Sequence, residues 1–561
     1  MAEKMRIALA QINTIVGDFA GNSRKVLDYV EKAKVYQADV IIFPELTLCG
    51  YPPEDLLHKP KFIEDSGLCL EELARKIKDI TAIIGFVRQD GADIYNSAAV
   101  VSNGNFCGFY DKMYLPNYSV FDEKRYFKSG KCNLLFDICG IKAGINICED
   151  IWHPDGPYKA QKESGAQIIF NLSASPYYVN KHRERQCLIS NIAVKERVHF
   201  AFVNLVGGQD ELVFDGASSF FSPEGKIMSS ARQFQEDVLI VEAEFSVKNN
   251  VEKKNLEVIK IDTMLKEKTS KVEMKIEEER SAEWEVYSAL TLGLKDYVVK
   301  NGFEKVVLGI SGGIDSAFAA AVAVDALGRD NVIGVIMPSK YSSDQTQKDA
   351  KILADNLGIK SYCLPIGEVF NEYLDSLGNI FKGLKENETE ENLQARVRGN
   401  FLMALSNKFG WLVLTTGNKS EMSVGYCTLY GDMAGGFAVI KDVPKTLVYK
   451  LSNYVNNVKG KEVIPLSILE RAPSAELKFN QKDQDSLPEY EILDAILKEY
   501  IENDKGLEQI ISLGFDRPLV TNIISKVDRN EYKRRQAPPG IKITEKAFGR
   551  DRRMPIVNKY R

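Results

Sequence analysis

The chain has 561 residues, enough for two or three domains with ample core. Its formal net charge of −5 and sequence pI of about 5.8 argue against a nucleic-acid-binding surface as its main business. Nine cysteines are scattered with no Cys-x-x-Cys pair, so no structural zinc is expected, and no apolar run reaches the roughly 18 residues of a membrane helix. The odd cysteine count and the lack of a secretory leader pattern fit reduced thiols in a soluble cytoplasmic protein.

Taken in order, residues 5–11 are a first strand, and residues 22–35 a helix capped by Asn22 or Ser23 with Val26, Leu27 and Val30 on one face. Residues 40–43 are a second buried strand, ended by Pro44-Glu45. Further strands are expected at 82–87, 97–101, 141–147, 168–171 and 200–206, and helices at 62–78 and 185–197. This alternation predicts a layered α/β domain with its site at sheet edges. Around Ser246 the composition shifts. Residues 247–280 are dominated by Lys and Glu without Gly or Pro, and read as a solvated charged helix or an interdomain strap. A second α/β region begins near Glu283, with strands at 306–310, 332–337 and 412–415. Polar, Gly-containing 378–391 reads as a mobile loop near its site.

The second region is organised around Gly309-Ile310-Ser311-Gly312-Gly313-Ile314-Asp315-Ser316. An apolar β-branched strand breaks into glycines and continues as an Ala-rich helix over 317–327. Backbone N–H groups and a helix start together favour an oxyanion. No Lys follows the glycines, so this is not the P-loop pattern. Ser-Gly-Gly-x-Asp-Ser resembles the loop of the ATP-pyrophosphatase families, which cleave ATP between the α and β phosphates and form an adenylated intermediate. That resemblance implies an ATP site over 309–316 and Mg²⁺ on Asp315, a hard oxygen donor.

Three residues stand at predicted strand ends in the first region: Glu45 in Phe43-Pro44-Glu45-Leu46, Lys112 in Asp111-Lys112-Met113-Tyr114, and Cys148 in Ile147-Cys148-Glu149-Asp150. This trio resembles the nitrilase (carbon–nitrogen hydrolase) superfamily over about residues 5–245. Amide hydrolysis through a thioester needs a thiol nucleophile, a carboxylate to move protons and a cation for the oxyanion. The resemblance assigns these to Cys148, Glu45 and Lys112. The run 115–127 further resembles the glutaminase version of this domain. That implies Tyr118 and Glu123 lining a glutamine pocket, with Glu149 and Ser175 at the α-amino and α-carboxylate ends. Arg183 and Arg185 both stay open as partners for the carboxylate.

A nitrilase-type glutaminase ahead of such a loop resembles the glutamine-dependent NAD⁺ synthetase family. The fold it implies is α/β throughout: an α-β-β-α sandwich over 1–246, a charged linker over 247–282, and a Rossmann-like parallel-sheet ATP-pyrophosphatase domain over 283–561. The activity it implies is amidation of deamido-NAD⁺, with ATP as co-substrate, Mg²⁺, and ammonia released from glutamine and carried through a tunnel. By the same resemblance, Asn392, Arg396, Glu421, Tyr426, Cys427, Thr428, Leu429 and Lys533 meet deamido-NAD⁺. Thr416 touches ATP, and Glu421 joins Asp315 at the metal. A homo-oligomer, dimeric or higher, is implied, with no nucleic-acid or membrane partner. Two alternatives are weighed: adenylation of a tRNA for thiolation, which the acidic charge disfavours, and an inert nitrilase fold, which the intact trio disfavours.

Overall fold

The computed structural model describes residues 2–246 and 256–560. Contacts divide the chain into two compact units: Met1–Gln209 with Val213–Arg280, and Asp210–Leu212 with Ser281–Arg561.

The first unit begins with β1 (Ala2–Gln11), α1 (Phe19–Val35), β2 (Val40–Ile42), α2 (Pro60–Lys76), β3 (Thr81–Asp90), β4 (Asp93–Ser102) and β5 (Asn105–Asp111). It continues with β6 (Leu134–Ile138), β7 (Ile141–Ile147), α3 (Pro157–Glu163), β8 (Ile168–Ser173), α4 (Lys181–Glu196) and β9 (His199–Asn204). A small ribbon, β10 (Val206–Gln209) with β11 (Leu212–Asp215), precedes β12 (Ser219–Phe221), β13 (Ile227–Ser230), β14 (Asp237–Ser246) and β15 (Glu257–Ile261). One sheet runs β14-β1-β2-β3-β4-β5 and the other β13-β12-β9-β8-β7-β6-β15. Strand alternation explains the layering. Along β1, Ile7 and Leu9 enter a core shared with Phe136, Ile145 and Phe170 of the second sheet, while Ala8 and Ala10 pack under Val26 and Val30 of α1. Ile189 and Ile192 of α4 cover the second sheet's outer face over Ile169 and Phe200. The result is the expected α-β-β-α sandwich.

Two expectations change. Helix α1 starts three residues early because Asp18 caps it, accepting from Gly21 N at 2.8 Å. Asn22 is instead buried and ties the Ile15 and Leu48 backbones together. The charged segment is extended rather than helical from 256 to 280; its first part, 247–255, lies outside the described residues. Strand β15 pairs in parallel with β6, Ile259 opposite Phe136. Beyond it, Asp39 accepts from Lys266 N and from Lys268 Nζ, and fully buried Arg6 donates to Ser270 O at 2.7 Å. Those partners lie over 200 residues away in sequence, so composition shows the charges but not their pairing.

The second unit contains α5 (Ala282–Lys300), β16 (Val306–Gly309), α6 (Ile314–Leu327), β17 (Val332–Ile336), α7 (Asp344–Leu357), β18 (Lys360–Cys363), α8 (Gly367–Phe381), α9 (Glu388–Phe409), β19 (Leu412–Thr415), α10 (Lys419–Val424) and β20 (Phe437–Ala438). Its sheet, β18-β17-β16-β19-β20, is all parallel. Near-continuous apolar runs suit strands covered on both faces. The 378–391 loop expectation is corrected: α8 runs to Phe381, and α9 starts at Glu388 through a capping box of Asn387 and Glu390. A helical cluster that includes Leu493, Ile496, Val520 and Ile523 completes the unit. Among the described residues, no helix is long and apolar enough to cross a membrane.

Candidate functional sites

In the first unit, Glu45 follows β2 and Lys112 follows β5, while Cys148 follows β7 and Ser175 follows β8 of the other sheet. Lys112 Nζ donates to Glu45 Oε1 at 2.7 Å and to Glu123 Oε1 at 2.9 Å. Glu45 is fixed further by Asn96 Nδ2 at 2.6 Å and by Ala174 N at 3.0 Å. All three charged groups are buried. Burial opposes the Lys112 ammonium, but Glu123 and then Glu45 outweigh it and hold its pKa well above the ordinary value. Cys148 adopts φ +41°, a left-handed conformation that costs a side-chain-bearing residue strain and recurs at functional turns. Burial, followed by Glu45, pushes its thiol pKa well up, so the thiol needs a base to become a nucleophile.

Glu123 packs on Lys112 rather than standing free in a pocket. Burial raises its pKa to about 7 against the pull of Lys112, and Tyr51 OH donates to it at 3.1 Å. Tyr118 OH donates to Glu149 Oε2 at 2.9 Å. Ser175 N donates to Asn204 Oδ1 at 2.9 Å, and Arg185 leans on Ser175 while paired with buried Asp215. Arg183 pairs with Glu279 at the surface, so the structure leaves neither arginine free. The cation that sequence reasoning missed is Lys181, whose ammonium lies 3.9 Å from the Trp152 ring centroid. Burial lowers its pKa, and its charge acts on Glu149 and is felt by Cys148. Its only signal is a cation at the start of α4, too common to single out.

In the second unit, β16 turns into α6 through 310–313. Gly312 has φ +80°, and a Cβ there would lie 2.2 Å from the Thr346 carbonyl oxygen, so glycine is required. Ser311 and Ser316 hold the turn: Ser316 Oγ donates to Gly313 O at 3.0 Å and Gly313 N donates to Ser311 Oγ at 3.1 Å. Beside it, Asp315 pairs with Lys445 and accepts from Asn418 Nδ2 at 3.0 Å. Lys445 also pairs with Glu421 at 3.2 Å. Burial raises the Glu421 pKa to about 8; Lys445 opposes this and Asp315 adds to it. Lys445 is a second missed residue, invisible because 130 positions separate it from Asp315.

These groups face a cavity of about 300 Å³. The whole 309–316 run lines it, with Thr416, Glu421, Tyr426, Thr428 and Lys445. Asn392, Arg396, Cys427, Leu429 and Lys533 are not among its lining residues. Three of them brace the adjoining loop instead. Asn392 accepts from Thr428 Oγ1 at 2.7 Å, Arg396 Nε donates to Leu429 O at 3.2 Å, and Lys533 Nζ donates to Gly425 O and Cys427 O at 2.8 and 2.9 Å.

An α-β-β-α sandwich with a buried Cys, Glu and Lys, joined to a parallel sheet bearing a glycine loop, defines a hydrolase-plus-nucleotide class of protein. Residues 6–248 match the carbon–nitrogen hydrolase family and residues 286–537 the NAD synthase family. The chain belongs to the family of glutamine-dependent NAD⁺ synthetases. It is 47% identical to the one from Thermotoga maritima, across 100% of this chain and 99% of the other. It is 46% identical to the one from Aquifex aeolicus, across 99% and 100%. A solved glutamine-dependent NAD⁺ synthetase from Acinetobacter baumannii, in complex with adenosine diphosphate, superposes with a TM-score of 0.76 at 42% identity, covering 99% of each chain.

Proposed function

We propose that this protein amidates deamido-NAD⁺ to NAD⁺ with ATP, using ammonia that it releases from glutamine. The observation that carries the reading is two chemically distinct clusters on one chain: the buried Cys148, Glu45 and Lys112, and the glycine loop with its cavity.

At the first site, Glu45 takes the Cys148 proton, and the thiolate attacks the glutamine side-chain amide. Lys112 faces the oxyanion, and Glu45 returns the proton to the leaving ammonia. Tyr118, Glu149 and Ser175 bind the amino-acid end of glutamine. Lys181, rather than Arg183 or Arg185, pairs with its carboxylate, because it alone of the three carries no ion pair to a buried or partnered surface carboxylate beyond its own helix turn.

At the second site, the loop and Thr416 bind ATP. The nicotinate carboxylate attacks the α-phosphorus, pyrophosphate leaves, and ammonia displaces AMP. Asp315 and Glu421 are hard oxygen donors with one ammonium between them, and Asp483 adds a further negative charge to Glu421. That donor chemistry fits Mg²⁺, which would favour the ionised form of Glu421 and neutralise phosphate charge when bound. Among the described residues no group of three or more His, Cys, Asp or Glu side chains forms a metal cage, so bound phosphates would supply further oxygens. Asn392, Arg396 and Lys533 serve deamido-NAD⁺ by holding the 425–429 loop, with Tyr426, Cys427, Thr428 and Leu429 as its wall. We also infer a cytoplasmic protein that forms a homo-oligomer; for the latter, Val369, Tyr373 and Ile380 are exposed apolar side chains on α8 that a second copy would cover.

The test is NAD⁺ formation from deamido-NAD⁺, ATP and Mg²⁺ with glutamine or ammonium, in wild type and Cys148→Ala. Expected is product from both nitrogen sources in the wild type and from ammonium alone in the variant. No product from either source in the wild type overturns the substrate assignment.

A further inference from the structure

Helix α9 carries Arg396 and Arg398, two positions apart. At about 100° per residue they lie on opposite sides of the helix, with buried Val397 between them. Arg396 reaches the Leu429 carbonyl and stays outside the cavity. Arg398 lines the cavity, together with the glycine loop.

The surroundings of Arg398 are unusual for a guanidinium. Its Nε donates to Met337 O at 3.1 Å, and that is its one hydrogen bond among the described residues. Among the described residues neither terminal amino group has a hydrogen-bond partner, and no carboxylate forms an ion pair with it. The charge that supports it is Glu476, which acts at longer range and is itself engaged by Thr346 Oγ1 at 2.8 Å. Burial lowers the Arg398 pKa to about 10, so the group stays cationic at neutral pH while poorly solvated. A desolvated cation with an unused planar fork is a site for an anion with two adjacent oxygens.

Its anchor fixes where that anion sits. Met337 directly follows β17, the strand paired with β16, whose end bears the loop; Gly309 lies opposite Val335. A Cβ on Gly309 would come 3.1 Å from Met337 Cε, so the strand end and the anchor are neighbours. Asp315 and Lys445 flank the loop toward α10, while Arg398 approaches from the β17 side.

We propose that Arg398 is a nucleotide-binding residue that grips non-bridging phosphate oxygens of ATP with its free fork. A purely structural arginine would use its terminal groups on protein carbonyls or carboxylates, and this one does not. The inference rests on the reading that the cavity takes ATP.

The experiment compares wild type with Arg398→Gln, whose amide keeps a donor for the Met337 carbonyl, and with Arg398→Lys, which keeps the charge but loses the fork. Binding of Mg²⁺-ATP to the full chain is measured by titration calorimetry, alongside KM for each substrate and the thermal midpoint. Expected for Arg398→Gln is ATP affinity weakened roughly tenfold to a hundredfold, with Arg398→Lys between it and wild type. Glutamine hydrolysis is unchanged, and Tm moves by no more than about 2 °C. Unchanged ATP affinity in Arg398→Gln overturns the proposal, as does an equal loss for ATP and deamido-NAD⁺, which marks a distorted helix. A wild type that binds ATP yet forms no NAD⁺ overturns the synthetase reading while the calorimetric comparison still decides Arg398.

Discussion

Each site places one buried lysine between two carboxylates. Lys112 lies between Glu45 and Glu123, and Lys445 between Asp315 and Glu421. The difference is in what closes the arrangement. Around Lys112, Asn96, Tyr51 and the Ala174 N–H occupy carboxylate oxygens, so the set is closed inside the protein, with Glu123 Oε2 buried and without a partner among the described residues. Around Lys445 the same motif opens on a cavity, with the unmatched Arg398 across it. The closed set suits a small neutral amide, whose reaction generates charge only transiently. On the proposed reading, the open set is left to be completed by the ATP phosphates and Mg²⁺. One local motif thus serves two chemistries, according to whether the fold or the ligand supplies the last partners.

Removing each lysine is the strongest way to break that comparison. Lys112→Met leaves Glu45 and Glu123 buried with no cation, a loss of about 3–5 kcal/mol of stability if both stay ionised. Glutamine-driven NAD⁺ formation is expected to fall by roughly a thousandfold or more, with the oxyanion partner gone. Ammonium-driven formation should change by no more than a few-fold. Steady-state rates with both nitrogen sources decide it; an equal collapse of the two would show that the sites are not separable.

Lys445→Met tests the other half with a smaller effect. The cavity stays open and solvent reaches Asp315 and Glu421, so the stability cost is less. Formation of NAD⁺ should fall about a hundredfold whichever nitrogen source is used, because the ATP-dependent step is common to both. Glutamine hydrolysis measured alone should be unaffected. A loss confined to glutamine would contradict the assignment of Lys445 to the nucleotide site.

How much of this was legible depends on sequence distance. The strand–glycine–helix at 306–327 is a local motif, and its structure follows the sequence reading closely. Glu45, Lys112 and Cys148 could be named because their flanking residues resemble one family's motifs; strand ends alone would not single out Lys112, which follows the half-exposed β5, and the convergence of the three needs both sheets. The start of α1 was misplaced because Asn22 also suits a cap, and only the tertiary bonds to Ile15 and Leu48 show that it is buried instead. Lys181, Lys445 and Arg398 escaped notice for a related reason. A lone cation on a helix is ordinary in sequence, and its meaning lies in what it faces. The resemblance names Arg396, but helical phase, not composition, decides which arginine of α9 enters the cavity, and it is Arg398.

The mildest test concerns the backbone around the closed site. Asp150 is fully buried and joins the turn before Cys148 to the stretch after Lys112. Its Oδ2 accepts from Ile147 N and Tyr110 OH, both at 2.9 Å. Its Oδ1 accepts from Met113 N and Tyr114 N at 3.1 and 2.9 Å. Asp150→Asn keeps the shape but puts a donor against one of these N–H groups. Glutamine-driven activity should drop about tenfold through misalignment, with ammonium-driven activity intact. The pH dependence separates this from a simple loss of packing. Burial raises the Asp150 pKa to about 6 despite its backbone hydrogen bonds, so the folded state holds this proton more tightly than the unfolded chain. The protonated group's contribution to stability is therefore fully present below about pH 4 and is lost as pH rises through 6, amounting to about 3 kcal/mol. Denaturant titrations at pH 4 and 7 should show the wild type losing that increment relative to Asp150→Asn. Parallel curves for the two proteins would mean that Asp150 titrates normally, and the misalignment argument would then have to stand on geometry alone.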